Sequence, residues 1–447
     1  MEKVILNAKE LEQIKKLEKD LDAILDDPVI PVPGCGVMAF RDGKLLYQGC
    51  KGFRTFDESG KVGVKPFTAD TRFRTASISK VFSALSVMRL VEQGKLDLDE
   101  DVSSYLGFSL RNPNYPNKKI TLRMLMSHTS SIRDGSVYSI APEFNMEQFF
   151  LPDGKYYADG EHFANSSDGV NREPGRFFAY TNLNYGVIGT VFERLSGKRF
   201  DVFLKETILE PMGMNASFNV GDFDEKDLDL LSPLYQSVNG DKWDASQPWS
   251  AQIDDYKGEL QPRDQVLITN PDLHGANVMA DLKNYQIGFN GTLFSPQGGL
   301  RISMNEEMKL AELFLNDGMV DGKKIISKES LDTMFTPYWT YVPSENNGDT
   351  YDGLMTCYGP GIQIVASGPR DRFLKDRNVV LSGHFGEAYG LLAGLFVNRE
   401  TKMGIFYVMN GQGAPDSDHH GDYSGMYQWE ERFCTALLDN LFPDIHD

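Results

Sequence analysis

Positive charge is scarce in this chain: its 447 residues hold 45 Lys and Arg against 64 Asp and Glu, a formal net charge of -19. A protein that grips a phosphate backbone needs a basic footprint, so nucleic acid is excluded as a partner and an anionic membrane surface is disfavoured. Long apolar runs are missing as well. No window reaches the roughly 18 consecutive apolar residues of a membrane segment. The opening MEKVILNAKELEQ has no cleavable apolar core, so the chain as written reads as cytoplasmic, or as periplasmic or secreted if a leader was removed.

Cysteine is equally sparse. Cys35, Cys50, Cys357 and Cys434 form neither a CxxC nor a zinc spacing, so metal and thioredoxin-like chemistry are not expected. In CGVMAFRDGKLLYQGC, Asp42 and Gly43 read as the two-residue turn of a hairpin, and counting outward from Arg41 and Lys44 opposes Cys35 to Cys50. A bridge there is geometrically workable. A reducing cytosol favours two thiols.

What remains is an ordinary globular mixture, 41% apolar and 24% charged. The length exceeds a single core, which points to two lobes. Near the N-terminus, Leu11, Ile14, Leu17, Leu21 and Ile24 recur at helical spacing behind an Asn7 and Glu10 cap. Near the C-terminus, GLLAGLFVNRETKMGIFYVMN reads as a hairpin turning at NRETK, and Trp429, Phe433, Leu437 and Leu441 mark a last helix. Between about 81 and the 290s, strand signals thin out. The expected fold is α+β: an antiparallel sheet flanked by N- and C-terminal helices, with an all-helical domain inserted in its middle. Residues 1–80 and 298–447 would form the sheet domain and 81–297 the mainly helical one.

One short stretch carries the chemistry. In RTASISK, Ser77 and Lys80 are the chain's single Ser-x-x-Lys match and precede the apolar run VFSALSVMRLV. At i and i+3 they share a helix face. A lysine desolvated against an apolar helix has a lowered pKa and can take a serine's proton, although a capping serine and a solvated lysine would read the same way. Tyr-x-Asn occurs at Tyr115, in a polar loop, and at Tyr180, in the apolar setting FFAYTNLNYGVIG, which makes Tyr180 the candidate second proton carrier and Asn182 its companion. His384 and Gly386 precede an apolar strand in LSGHFGEAYGLLAGLF.

These pieces together resemble the serine beta-lactamase and penicillin-binding protein superfamily, in its branch of class C beta-lactamases, DD-peptidases, D-aminopeptidases and esterases. The resemblance also covers ITLRMLMSHTSSI, LEPMGMNASF and SPQGGLRISMNEEMKLAELFLNDG, in the family's order. It implies a cleft between an α/β and a helical domain, with Ser77 as nucleophile, Lys80 and Tyr180 as the proton-shuttling pair, and Asn182 bonding Lys80 and the substrate amide. His384, Phe385 and Gly386 would form the third motif, and the backbone N–H groups of Ser77 and Glu387 the oxyanion hole. No cofactor or metal is expected.

The third motif departs from the LysThrGly of class C beta-lactamases. A partly protonated His384, a Phe385 without a hydroxyl and a negative Glu387 together predict poor recognition of penicillin-type carboxylates and preference for neutral or amine-bearing substrates. The implied activity is a serine hydrolase that cleaves a small-molecule or peptide-like amide or ester through an acyl-enzyme. The alternative is a penicillin-sensor-type or non-catalytic ligand-binding member of the same fold.

Other features have plainer readings. His128 is taken as a hydrogen-bonder at a helix end, Gly298 and Gly299 as a tight backbone return. His419 and His420, near Asp416, Asp418 and Asp422, read as a polar loop. Trp243 and Trp249 are divided between local packing and a substrate wall.

Overall fold

The computed structural model describes residues 1–240, 242–270 and 276–445. Among them, nine strands form one antiparallel sheet. Three come from the N-terminal part, β1 (Gly34–Arg41), β2 (Lys44–Phe56) and β3 (Gly63–Pro66). Six come from the C-terminal part, β4 (Trp339–Thr340), β5 (Cys357–Gly359), β6 (Ile362–Val365), β7 (Leu381–Ala388), β8 (Leu391–Asn398) and β9 (Met403–Met409). Their order across the sheet is β4-β5-β6-β7-β8-β9-β1-β2-β3. The first hairpin turns at Asp42 and Gly43, both with positive φ (54° and 71°), as a two-residue turn of this kind requires. The β8–β9 hairpin closes with Asn398 opposite Met403, around NRETK.

Alternation along the strands separates two cores. On one face, Val37, Ala39, Phe396 and Tyr407 pack under the terminal helices α1 (Ala8–Leu25) and α5 (Gln428–Leu441), which add Leu17, Leu21, Trp429 and Phe433. Burying each such side chain stabilises the fold by about 1.5–3 kcal/mol. α1 starts on a capping box: the Asn7 side chain accepts the Glu10 N–H at 3.0 Å and the Glu10 carboxylate accepts the Asn7 N–H at 2.7 Å. On the other face, Met38 and Phe40 meet α2 (Ser79–Glu92) and α4 (Met304–Leu315), and the same core continues to α3 (Leu183–Ser196). α2 is buried nearly all round, as its apolar run requires.

Two sequence expectations are corrected. The hairpin does not oppose Cys35 to Cys50, because a bulge between Ala39 and Phe40 slips the register by one residue and pairs Cys35 with Lys51 and Gly36 with Cys50. A one-residue slip reverses faces. Cys35 therefore packs under the terminal helices, Cys50 lies 3.5 Å from Met304 Sδ on the other face, and both are free thiols. The stretch from 81 to 297 is also less helical than expected: Leu234–Asn239 pairs with Trp249–Ile253, and Gln265–Asn270 pairs with Ala276–Asp281. The apolar residues of QVLIT and NVMAD are the strand signals that were passed over.

Candidate active site

The site begins where a short strand becomes a buried helix. Arg72–Arg74, paired with Arg301–Ser303, leads through a 3-10 turn at Ala76–Ile78 into α2. Ala76 holds φ at 50°, a left-handed conformation that costs a residue with a side chain free energy. That turn leaves Ser77 partly exposed at a cleft of about 350 Å³ while Lys80, one turn further, is fully buried.

Lys80 Nζ donates to Ser77 Oγ, to Asn182 Oδ1 and to the Gln297 carbonyl, each at 2.9 Å. Among the described residues no carboxylate contacts it. Burial therefore dominates and brings its pKa down to about 7, with the Asp134 charge pulling the other way. Asp134 has a structural task as well: it accepts the Asn182 Nδ2–H at 2.9 Å and the Leu183 N–H at 2.8 Å. With its amide nitrogen so engaged, Asn182 turns its oxygen toward Lys80. Asp134 was not singled out in the sequence; the signal was a lone acid following the hydroxyl-rich SHTSSIR.

Tyr180 completes the cluster. Burial holds its phenol's pKa well above 10 against the opposing pull of Ser77, so it stays protonated near neutral pH. Lys80 Nζ sits 4.8 Å from the ring centroid. On its other side the ring stacks on His128 at 4.3 Å. His128 is buried, accepts the Thr181 N–H at Nδ1 at 3.0 Å and is held neutral by burial. It thus packs against the Tyr180 ring and bonds the backbone just beyond it. Tyr115 stays in its loop, accepting the Arg172 N–H.

The third motif lies on β7. Pairing with β6 stops at Gly383, whereas pairing with β8 continues to Ala388, which leaves one edge of His384–Ala388 beside the Ser77 turn. Contact is close at Gly386, where a Cβ would fall 2.5 Å from the Thr75 carbonyl. His384 is buried and neutral, its pKa brought down to about 3 by burial and by the Lys80 charge. Nδ1 lies 2.5 Å from the Phe385 carbonyl and must carry the proton, so Nε2 accepts from the Tyr358 hydroxyl at 2.7 Å. Both ring nitrogens are occupied. The expectation of a partly protonated histidine beside the substrate is corrected accordingly.

Phe385 and Glu387 alternate to the opposite face. The Phe385 ring packs 4.5 Å from Phe396 in the core under the terminal helices. Glu387 faces Asp416, Tyr427 and Glu430, and desolvation beside that helix together with these charges raises its pKa. Glu387 also lines the cleft, while its carboxylate is turned toward Asp416 and Tyr427. Strand alternation is the physical reason.

Gly298 lines the cleft, and Gly299 makes a tight return in which a Cβ would meet the Phe294 carbonyl at 2.6 Å. Trp249 lines a separate cavity of about 830 Å³ together with Phe56 and Tyr256. Neither Trp243 nor Trp249 lines the Ser77 cleft. His419 and His420 pack by Trp429 and Tyr427 at the far side of the sheet.

The Ser77 turn, a buried lysine, a Tyr-x-Asn loop and a glycine-bearing strand edge converge on one cleft, and the beta-lactamase family model matches residues 21–425. The chain belongs to the beta-lactamase family. Among curated relatives of this family member, protein flp of Staphylococcus aureus is 23% identical over 60% of this chain and 52% of its own length. Penicillin-binding protein 4* of Bacillus subtilis is 28% identical over 40% of this chain and 36% of its own. The family member thus spans about half, or less, of the length of these relatives.

Solved structures with the same fold include EstCE1, described as a hydrolase with promiscuous acyltransferase activity (TM-score 0.62, 19% identity, 96% of this chain and 100% of that one). A D-amino acid amidase from Ochrobactrum anthropi (0.61, 17%, 96% and 99%) and an octameric penicillin-binding protein homologue from Pyrococcus abyssi (0.59, 23%, 95% and 76%) share it too. No helix among the described residues is long and apolar enough to cross a membrane.

Proposed function

We propose that this family member is a serine hydrolase that cleaves a small ester or amide through an acyl-enzyme on Ser77. The observation that carries the reading is the 2.9 Å contact between Ser77 Oγ and a lysine whose pKa burial brings to about 7. At neutral pH a large share of Lys80 is the free amine, the form that accepts a proton. Ser77 Oγ attacks the carbonyl carbon as its proton passes to Lys80 Nζ. Tyr180, still protonated, gives its hydroxyl proton to the departing oxygen or nitrogen, and the proton taken up by Lys80 Nζ restores it. Water then attacks the acyl carbon, again losing its proton toward Lys80, and as the Oγ–acyl bond breaks that proton returns to Ser77 and the acid is released.

Asn182 orients Lys80 and the substrate amide. The backbone N–H groups of Ser77 and Glu387 form the oxyanion hole, donors held where charge develops in the tetrahedral intermediate. Gly386 allows the strand edge to approach, and Phe385 lines the cleft while its ring packs on Phe396 behind that edge. In this reading residues 1–80 and 298–447 form the sheet domain, 81–297 the second domain, and the cleft lies between them. The esterase and amidase among the structural neighbours support ester or D-amino acid amide substrates over beta-lactams. A fluorophosphonate probe followed by turnover of p-nitrophenyl esters and D-amino acid anilides tests the reading. Labelling together with turnover supports it; labelling without turnover would favour a sensor.

A further inference from the structure

Arg74 stands three residues before Ser77 and lines the same cleft. It is only 7% exposed, yet among the described residues it forms no ion pair. Its Nε–H donates to the Gly298 carbonyl at 3.1 Å, and its guanidinium lies 5.6 Å over the Tyr389 ring. Neither partner carries a counter-charge. The carboxylate whose field reaches it, Asp254, is already committed. Arg301 holds both Asp254 oxygens, at 3.0 and 2.6 Å, and the Tyr256 hydroxyl donates to one of them at 3.1 Å. The cluster therefore keeps one unneutralised positive charge, and the two Nη groups of Arg74 donate to nothing among the described residues.

Burying a guanidinium without a counter-ion is unfavourable, and a free Nη fork in a cleft matches the two oxygens of a carboxylate. Its place identifies which part of a substrate it meets. Tyr180, the proton donor to the leaving group in the reading above, lies at the His384 end of β7, with the two rings 6.1 Å apart. Arg74 lies on Tyr389, one residue beyond the strand end at Ala388, which is itself about 13 Å from His384 at ~3.3 Å per residue. The leaving group thus departs at one end and the acyl group extends toward the other.

We propose that Arg74 recognises a carboxylate on the acyl part of the substrate, so that half-esters and half-amides of short dicarboxylic acids are the preferred acyl donors. This inference rests on the acyl-enzyme reading and gives the substrate class. Kinetics on p-nitrophenyl hemiglutarate and p-nitrophenyl valerate, corrected for spontaneous hydrolysis, test it. Wild type is expected to favour the glutaryl ester by at least tenfold in kcat/KM, with that ratio falling at least tenfold in Arg74→Met and less in Arg74→Lys. Fluorophosphonate labelling of both variants establishes that they are folded.

Free glutarate supplies a readout independent of turnover: it should raise the melting temperature of wild type and not of Arg74→Met. Wild type favouring the valeryl ester, or Arg74→Met keeping the ratio, overturns the proposal. If neither ester acylates Ser77, the hydrolase reading fails, and the anion site is judged on glutarate alone. An absent shift in wild type, or an equal one in the variant, then overturns it.

Discussion

Lys80 Nζ and Ser77 Oγ lie 2.9 Å apart, with the amine fully buried and no carboxylate among the described residues in contact with it. Burial brings the amine's pKa from the ordinary 10.5 to about 7. If Lys80 is the base, kcat/KM should climb with pH to a plateau with a midpoint near 7. Lys80→Met should lower the rate by ~10²–10⁴, the range for losing a positioned proton acceptor.

The same shift has a consequence for stability. Between pH 7 and 10.5 the unfolded chain holds a proton on Lys80 that the folded chain lacks, so this group's contribution grows as pH rises across that window and is lost as pH falls through 7. Lys80→Met removes the slope. Thermal melts at pH 6 and pH 9 should show the variant gaining on wild type at pH 6, and a gain at pH 9 alone would contradict the assignment.

Tyr180→Phe should also lower kcat by ~10²–10⁴. If Tyr180 and Lys80 serve one proton path, the combined loss in a double variant should be smaller than the product of the single losses. A double-mutant cycle measures this, and a fully multiplicative result would mean that the two act separately.

Asp134→Asn tests the residue that holds Asn182. The Asp134 charge opposes the burial that lowers Lys80, so removing it should move the midpoint of the pH profile further down. A purely structural role would reduce activity and leave the midpoint in place.

Gly386→Ala places a Cβ 2.5 Å from the Thr75 carbonyl, a backbone atom two residues from Ser77. The strand edge must then retreat from the Ser77 turn. Turnover should fall by at least ~10² if an oxyanion donor is displaced, with a lesser effect on the melting temperature.

Much of this was legible in the sequence because it is local. The Asp42–Gly43 turn, the NRETK hairpin and the two terminal helices follow from turn chemistry and periodicity within a few residues. Ser77 and Lys80 share a helix face for the same reason, and the family's segment order tied them to Tyr180 and Asn182. What was missed depends on non-local facts. The facing of Cys35 and Cys50 turns on one bulge, and the direction of Glu387 turns on which side of β7 meets the Ser77 turn. The partner of Asp134 lies 48 residues away, and the unpaired charge of Arg74 follows only once Arg301 is known to hold Asp254.

Intact-mass spectrometry of wild type and Ser77→Ala after exposure to a fluorophosphonate tests the central claim most directly. The account predicts one added phosphonyl group on wild type, abolished ester turnover in the labelled protein, and no added mass on Ser77→Ala, whose melting temperature stays close to wild type. A mass gain on Ser77→Ala, or none on wild type, would contradict it.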